Sequence, residues 1–287
     1  MIYYENPIID KDLVLSIDNV VLDVSISRLE LLDVLDAMLT SIAMGSVASV
    51  KTWETKKPGN FRKQHSISVD EDRSFWIGIG LVGNGVLQDR CRLEFNPNKV
   101  ADDVNFKLIH GFLIRNSRDV CRKIARFDLA IDLPVERSKC FLVKDRRMYI
   151  ERRHGVEYTQ YLGSKSSRVG RVKLYNKTAE AGLDYPLTRL ELTLDPTLAY
   201  EKVLFPVVYR IDSAKMREDG IKMTDTERFI LNALLQGYGV IDDLGRKTRK
   251  KIEELMKFYV KKVEITKVMY QKTIEQLNEL YLHAKKG

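Results

Sequence analysis

Cysteine is scarce in this chain. Cys91, Cys121 and Cys140 are its only three, too few for a disulfide framework and without metal-ligand spacing, so they are expected to be free thiols of a reducing compartment. No apolar run approaches the length needed to cross a bilayer; the best is Phe75 to Val82, FWIGIGLV. The opening MIYYENP has no basic segment followed by an apolar one, so no secretory signal is read there. There is no internal repeat and no low-complexity tract. These absences predict a soluble, cytoplasmic protein with no membrane partner.

The 287 residues, 44% of them hydrophobic, are enough for a sizeable core, divided into one large domain and a small one. Lys and Arg number 48 against 40 Asp and Glu, a formal net charge of +8, which favours a polyanionic partner without identifying it.

Leu13 to Val24 alternates apolar residues and predicts one or two short strands. Ser27 followed by Glu30 is a capping-box pattern, and Leu29, Leu32, Leu35, Met38, Leu39 and Ile42 recur at helical spacing as far as Gly45. Trp53 to Ser66 is polar and basic with a Pro-Gly turn, which predicts an exposed loop, its cations either touching nucleic acid or merely solvated. Ser74–Val82 and Arg90–Phe95 follow as strands around GNGVLQD, then a helix from about Asp102 to Ile114 turning Val104, Phe106, Leu108, Ile109 and Leu113 to a core. RFDLAIDL, from Arg126 to Leu133, sets Arg126, Asp128, Ala130 and Asp132 on one side and apolar residues on the other. Arg146 to Tyr161 predicts two strands around His154-Gly155. The Gly/Ser/Lys loop beyond them matches no P-loop pattern; it is read as a hairpin loop or a phosphate cradle. LTRLELTL is the last strand, with Arg189, Glu191 and Thr193 on one face. The whole predicts an α+β fold, a mainly antiparallel sheet with packed helices, over residues 1–200.

Residues 201–287 are predicted to be a helical C-terminal region. Thr224 with Glu227 is a second capping box, opening ERFILNALLQ, which Gly237 closes. One helical run from about Leu244 follows, with a loose apolar stripe and the basic cluster Arg246, Lys247, Arg249, Lys250 and Lys251 at its start. That cluster suits DNA binding or a solvated helix end.

The stretch around which the rest is arranged is RVKLYNKTAE, Arg171 to Glu180. If Gly170 to Lys177 is a strand, then Arg171, Lys173, Tyr175 and Lys177 share one face above Val172 and Leu174. Either Tyr175 is a half-buried strand residue with solvated neighbours, or the basic face holds a phosphate backbone and Tyr175 attacks it. Acids in RLEFNPN, RFDLAID and LTRLELTL suit the second reading. Glu94, Asp128 and Glu191 could supply hard oxygen ligands to a divalent cation, while Lys173 and Lys177 could bring the phenol towards its ionised form. Tyr158 and Tyr161 are the next candidates for the nucleophile.

At these residues the sequence resembles the Rep-trans initiators of rolling-circle plasmid replication in Gram-positive bacteria and their conjugative relaxase relatives. The resembling phrases are CRLEFNPNKV, ARFDLAIDLP, TQYLGSKSSRVGRVKLYNKTAE and LTRLELTLD, in the same order, over about Arg90 to Asp195. The F-N-P-N-K and Y-N-K pieces are the most specific. The resemblance implies a homodimeric, origin-specific DNA nickase in which Tyr175 attacks the phosphodiester, stays linked to the 5′ phosphate and frees a 3′ hydroxyl primer. It implies Mg²⁺ or Mn²⁺ at Glu94 and Asp128, with Glu191 as third candidate, a C-terminal DNA-recognition segment, and a host DNA helicase as partner. The four histidines, His65, His110, His154 and His283, are scattered, so carboxylate ligation is the consistent expectation. The same features allow a conjugative relaxase, or a non-catalytic DNA-binding regulator.

Overall fold

The computed structural model describes residues 7–10, 13–45, 49–83, 86–155 and 157–282. Met1 to Asn6 of the opening segment, Asn84 and Gly85 of the GNGVLQD turn, and His283 lie outside the described residues.

Strand β1 (Ile8–Asp10) pairs with the start of β2 (Leu13–Ile26), a single long strand rather than two short ones. Along β2 the core residues Leu13, Leu15 and Ile17 give way to Val20, Leu22, Val24 and Ile26. The alternation slips by one residue at Asp18, where the register against a later strand shifts between Ile17 and Asn19. Helix α1 (Glu30–Gly45) buries Leu32, Leu35, Leu39 and Ile42, whereas Leu29, ahead of the helix, stays exposed.

The loop expected over Trp53 to Ser66 is instead a hairpin of β3 (Ser49–Glu54) and β4 (Phe61–Ser68). Polar strand residues are tolerated there because they find partners: Lys63 pairs with Asp36 on α1, and Thr52 Oγ1 lies 2.9 Å from His65 Nδ1. Strands β5 (Ser74–Val82) and β6 (Leu87–Phe95) follow, then a one-turn helix α2 (Pro97–Val100) capped by Asn96. Helix α3 (Val104–Arg115) starts at Asp103, whose carboxylate accepts from Phe106 N at 2.8 Å. It buries Phe106, Ile109 and Leu113, but Val104 and Leu108 face outward, because the 3.6-residue period puts them beyond the edge of the apolar stripe.

Strand β7 (Ser117–Leu133) crosses the middle of the molecule. It is followed by β8 (Cys140–Leu142), β9 (Tyr149–His154), β10 (Glu157–Leu162), β11 (Val169–Asn176), helix α4 (Lys177–Ala181) and β12 (Thr188–Leu194). All pairings are antiparallel and give one large sheet in the order β3-β4-β5-β6-β2-β7-β12-β11-β10-β9, with β1 added on β2. The loop between β10 and β11 is closed by Ser167 N donating to Ser164 O at 3.1 Å. Gly170, at φ +115° and within a register shift of β11, sets the phase of the tyrosine strand; a Cβ there would lie 2.6 Å from the Leu204 carbonyl oxygen.

The rest of the chain is β13 (Val208–Ile211), α5 (Ser213–Glu218), α6 (Asp225–Leu235), α7 (Arg246–Tyr259), β14 (Val260–Lys262) and α8 (Lys267–Tyr281). The capping box of Thr224 and Glu227 opens α6 as the sequence predicts. The single helical run from Leu244 does not form. β-Branched residues carry 260–266 out as an extended segment that pairs with β13, and Thr266 caps a new helix. Strands β14, β13 and β8 make a second, three-stranded sheet. Phe141, Ile211, Met216, Leu231, Ile252 and Leu255 form a small core beside it, while Met269, Tyr270, Leu277 and Tyr281 of α8 join the main core. Among the described residues no helix is long and apolar enough to cross a membrane. Helices α1, α3 and α8 pack on the apolar face of the large sheet; its other face is polar and carries the candidate site.

Candidate active site on the polar face of the sheet

Adjacent strands bring the sequence phrases into register. On β11 and β12, Lys173 stands opposite Glu191, Tyr175 opposite Arg189 and Arg171 opposite Thr193. On β12 and β7, Arg189 faces Asp132, Glu191 faces Ala130 and Thr193 faces Asp128. Across β2, Asn19 meets Asp128, and Val21 lies between Arg126 on β7 and Glu94 on β6. Because side chains alternate, one face collects Tyr175, Lys173, Arg171, Glu191, Asp128, Arg126 and Glu94, while Val172, Leu174, Leu190, Leu192, Leu129 and Ile131 are buried on the other.

Tyr175 is nearly covered, at 4% exposure. Its hydroxyl donates to Glu191 Oε1 at 2.6 Å, and Lys173 Nζ lies 3.3 Å from Glu191 Oε2 and 3.8 Å from the centre of the tyrosine ring. Phenol, carboxylate and ammonium therefore form one closed unit. Burial, and then the negative charge of Glu191, push the phenol far above the ordinary tyrosine range. The lowering expected from Lys173 and Lys177 is thus outweighed, first by burial and then by Glu191. Burial likewise raises the Glu191 carboxyl, against the pull of Lys173. Lys177 does not continue the strand as expected. The Asn176 side chain accepts from Ala179 N at 3.2 Å and caps α4, so Lys177 opens that helix, paired with Glu180, its Nζ 5.9 Å from the Tyr175 ring.

Behind this unit lies a clamp that sequence reasoning misses. Arg189, 1% exposed, donates from Nε and Nη2 to Asp132 at 2.6 and 2.7 Å and from Nη1 to Asp18 at 3.0 Å. Asn96 reaches the same Asp18 oxygen at 3.1 Å, so the F-N-P-N phrase helps hold this end of the site. The slip in the apolar alternation of β2 is the available signal for Asp18, since a bulge re-aims the residues at it.

The expected metal ligands are near one another without converging. Glu94 accepts from Asn19 at 3.2 Å and from Arg126 at 2.9 Å, and both oxygens of Glu191 are engaged by Tyr175 and Lys173. Asp128 differs, in that its Oδ1 is buried with no hydrogen-bond partner. Burial raises its carboxyl, and the charges of Asp18 and Glu94 add to that, against a hydrogen bond from Thr193 and the charge of Arg126. Among the described residues no three carboxylate, histidine or cysteine side chains converge on a point that would hold a metal ion. As arranged, Glu94, Asp128 and Glu191 do not fit a bound cation.

The C-terminal basic residues lie at the start of α7. Arg246, Lys247 and Lys250 are exposed, Lys251 is half-buried, and Arg249 is held by Asp242 at 2.6 Å and Glu253 at 2.9 Å. The other four have no acid partner among the described residues and crowd a helix N-terminus, where positive charge is unfavourable.

No protein-family model matches the sequence, and a search of curated proteins finds no match. Among solved structures the chain is distantly similar to the rolling circle replication initiator protein from Geobacillus stearothermophilus. The identity is 13% over 96% of this chain and 99% of that one, with a TM-score of 0.39.

Proposed function

We propose that this chain is a DNA-nicking and strand-transfer enzyme that initiates rolling-circle replication of a plasmid. The observation that carries the reading is the hydrogen bond from Tyr175 to Glu191 with Lys173 bridging ring and carboxylate. A nucleophile is recognised by a base within hydrogen-bond reach that is itself oriented by a third group, and all three are present on the polar sheet face. The resemblance of the four sequence phrases supplies the substrate class.

In the proposed reaction the Tyr175 oxygen attacks the scissile phosphorus as its proton passes to Glu191. A bond forms between that oxygen and phosphorus, the bond from phosphorus to the 3′ oxygen breaks, and the departing oxygen takes a proton from solvent water and leaves as a 3′ hydroxyl, while Glu191 holds the phenolic proton. The strand end stays on the protein as a 5′-phosphotyrosine, so the reverse attack by a 3′ hydroxyl closes the nick. Lys173 stabilises charge at the phosphate, and Arg171 neutralises the adjoining backbone. With the phenol covered and its proton held, bound DNA has to open the unit before attack. A homodimer acting with a host DNA helicase in the cytoplasm, and origin recognition through Arg246, Lys247, Arg249, Lys250 and Lys251, belong to the same proposal.

The burial of Tyr175 favours a second reading, a DNA-binding regulator without catalysis. One experiment separates them: supercoiled DNA carrying the native origin is incubated with protein and Mg²⁺ or Mn²⁺. The nickase reading expects a nicked circle covalently joined to protein. Bound but uncut DNA would favour the regulator.

A further inference from the structure

Tyr161 is the penultimate residue of β10, opposite Lys173 of β11 on one side and Ile150 of β9 on the other. It therefore shares the polar face with Tyr175, which lies two residues beyond Lys173. Two guanidinium groups flank its ring, Arg152 at 5.8 Å and Arg171 at 5.6 Å from the ring centre. Arg152 is two residues along β9 from Ile150 and Arg171 two residues before Lys173, so the three run diagonally across three strands, within reach of long side chains.

These two arginines differ from their neighbours in being uncommitted. Arg92 is bound to Asp23 at 2.6 Å, Arg126 to Glu94 at 2.9 Å, Arg189 to Asp132 at 2.6 Å, and Arg153, next in sequence to Arg152, to Glu151 at 2.6 Å. Among the described residues neither the Arg152 nor the Arg171 guanidinium has a carboxylate or a hydrogen-bond partner; each lies against the Tyr161 ring. A half-exposed aromatic face between two uncompensated cations offers a stacking platform and two phosphate contacts at once. Single-stranded nucleic acid is bound by that combination.

We propose that Tyr161, Arg152 and Arg171 form a stacking subsite for one base of a single-stranded DNA segment, the guanidinium groups holding the phosphates on either side. The proposal rests on the polar face being the nicking site, and extends the path of the strand from Tyr175 across β10 to β9.

The test is equilibrium binding of the full chain to a labelled oligothymidylate and to a fully abasic oligomer of equal length and charge. Wild type should prefer the oligothymidylate. Tyr161→Ala should lower that affinity roughly 5- to 150-fold, the range of stacking on one aromatic residue, and leave the abasic oligomer unaffected. Tyr161→Phe should behave as wild type. Arg152→Gln with Arg171→Gln should weaken both oligomers and make binding less salt-dependent. The proposal is overturned if Tyr161→Ala weakens both equally, as a tyrosine needed only for the fold would, if it weakens neither, or if wild type does not distinguish the oligomers. None of these outcomes requires cleavage. Base discrimination without a Tyr175 adduct would sink the nicking reading alone, and an adduct without base discrimination would sink the stacking subsite alone.

Discussion

Replacing Glu191 by Gln isolates the base from the hydrogen bond it makes. The amide keeps the size of the side chain and an oxygen able to accept from Tyr175, now 2.6 Å away, but it cannot take up the proton. General-base catalysis contributes roughly 10²- to 10⁴-fold, so Glu191→Gln should lower single-turnover adduct formation on a single-stranded oligonucleotide by that factor, about 3–5 kcal/mol of barrier. The pH dependence carries the sharper signature. Burial raises the Glu191 carboxyl above the ordinary carboxylate range, so the wild-type rate should climb with pH along a limb displaced upward from that range, and the limb should vanish in Glu191→Gln. The linkage sign follows from the same shift. A group with a raised folded-state pKa favours the folded state while protonated, and that contribution is lost as pH rises through the folded value. Glu191→Gln should therefore flatten the loss of stability with rising pH. If the variant forms adduct within about threefold of wild type, or keeps the same pH limb, Glu191 is not the base; such a small change lies far below the range for a lost proton acceptor.

Three further outcomes are expected. Because Arg126 holds Glu94 at 2.9 Å and the acids do not converge on a point, Mn²⁺ should raise the thermal midpoint of wild type no more than that of Asp128→Asn. A rise in wild type that is lost in Asp128→Asn would contradict this and place a cation at that carboxylate. Arg189→Met leaves the Asp132 and Asp18 carboxylates without the cation that joins them, and should cost about 3–5 kcal/mol in denaturant unfolding; a loss below about 1 kcal/mol, the scale of a surface pair, would contradict the clamp. Replacing Arg246, Lys247 and Lys250 by Gln should reduce the salt slope of duplex-origin binding by up to about 0.9 for each phosphate that is no longer neutralised. An unchanged slope would assign duplex recognition to other residues.

Much of the fold is legible in the sequence because its strands obey a strict alternation. RFDLAIDL and LTRLELTL carry their acids and arginines on one face as the period of two requires, and the capping box at Thr224 and Glu227 forms as read. Reading fails where tertiary partners decide. β4 looks like loop because its polar residues are satisfied only when α1 brings Asp36 to Lys63, and the break between α7 and α8 depends on β14 finding β13. At the site, spacing can put Tyr175, Lys173 and Glu191 on adjoining strands, but it cannot show their direct contact, because strand order is not written in either strand. Lys177 is misplaced by the alternation since Asn176 caps a helix instead of extending the strand. Asp18 escapes notice because its partners, Arg189 and Asn96, lie far along the chain.

The most direct test of the central claim is the covalent adduct itself. Wild type and Tyr175→Phe are incubated with a 5′-labelled and a 3′-labelled origin oligonucleotide, and the denatured mixtures are resolved for labelled protein. The account predicts that wild type retains the 3′-labelled fragment, the one bearing the 5′ phosphate, with the attachment mapped to Tyr175. It predicts that Tyr175→Phe binds the oligonucleotide nearly as wild type and retains no label, since it lacks only the attacking oxygen. Adduct of comparable yield in Tyr175→Phe, or attachment at Tyr158 or Tyr161, would contradict it.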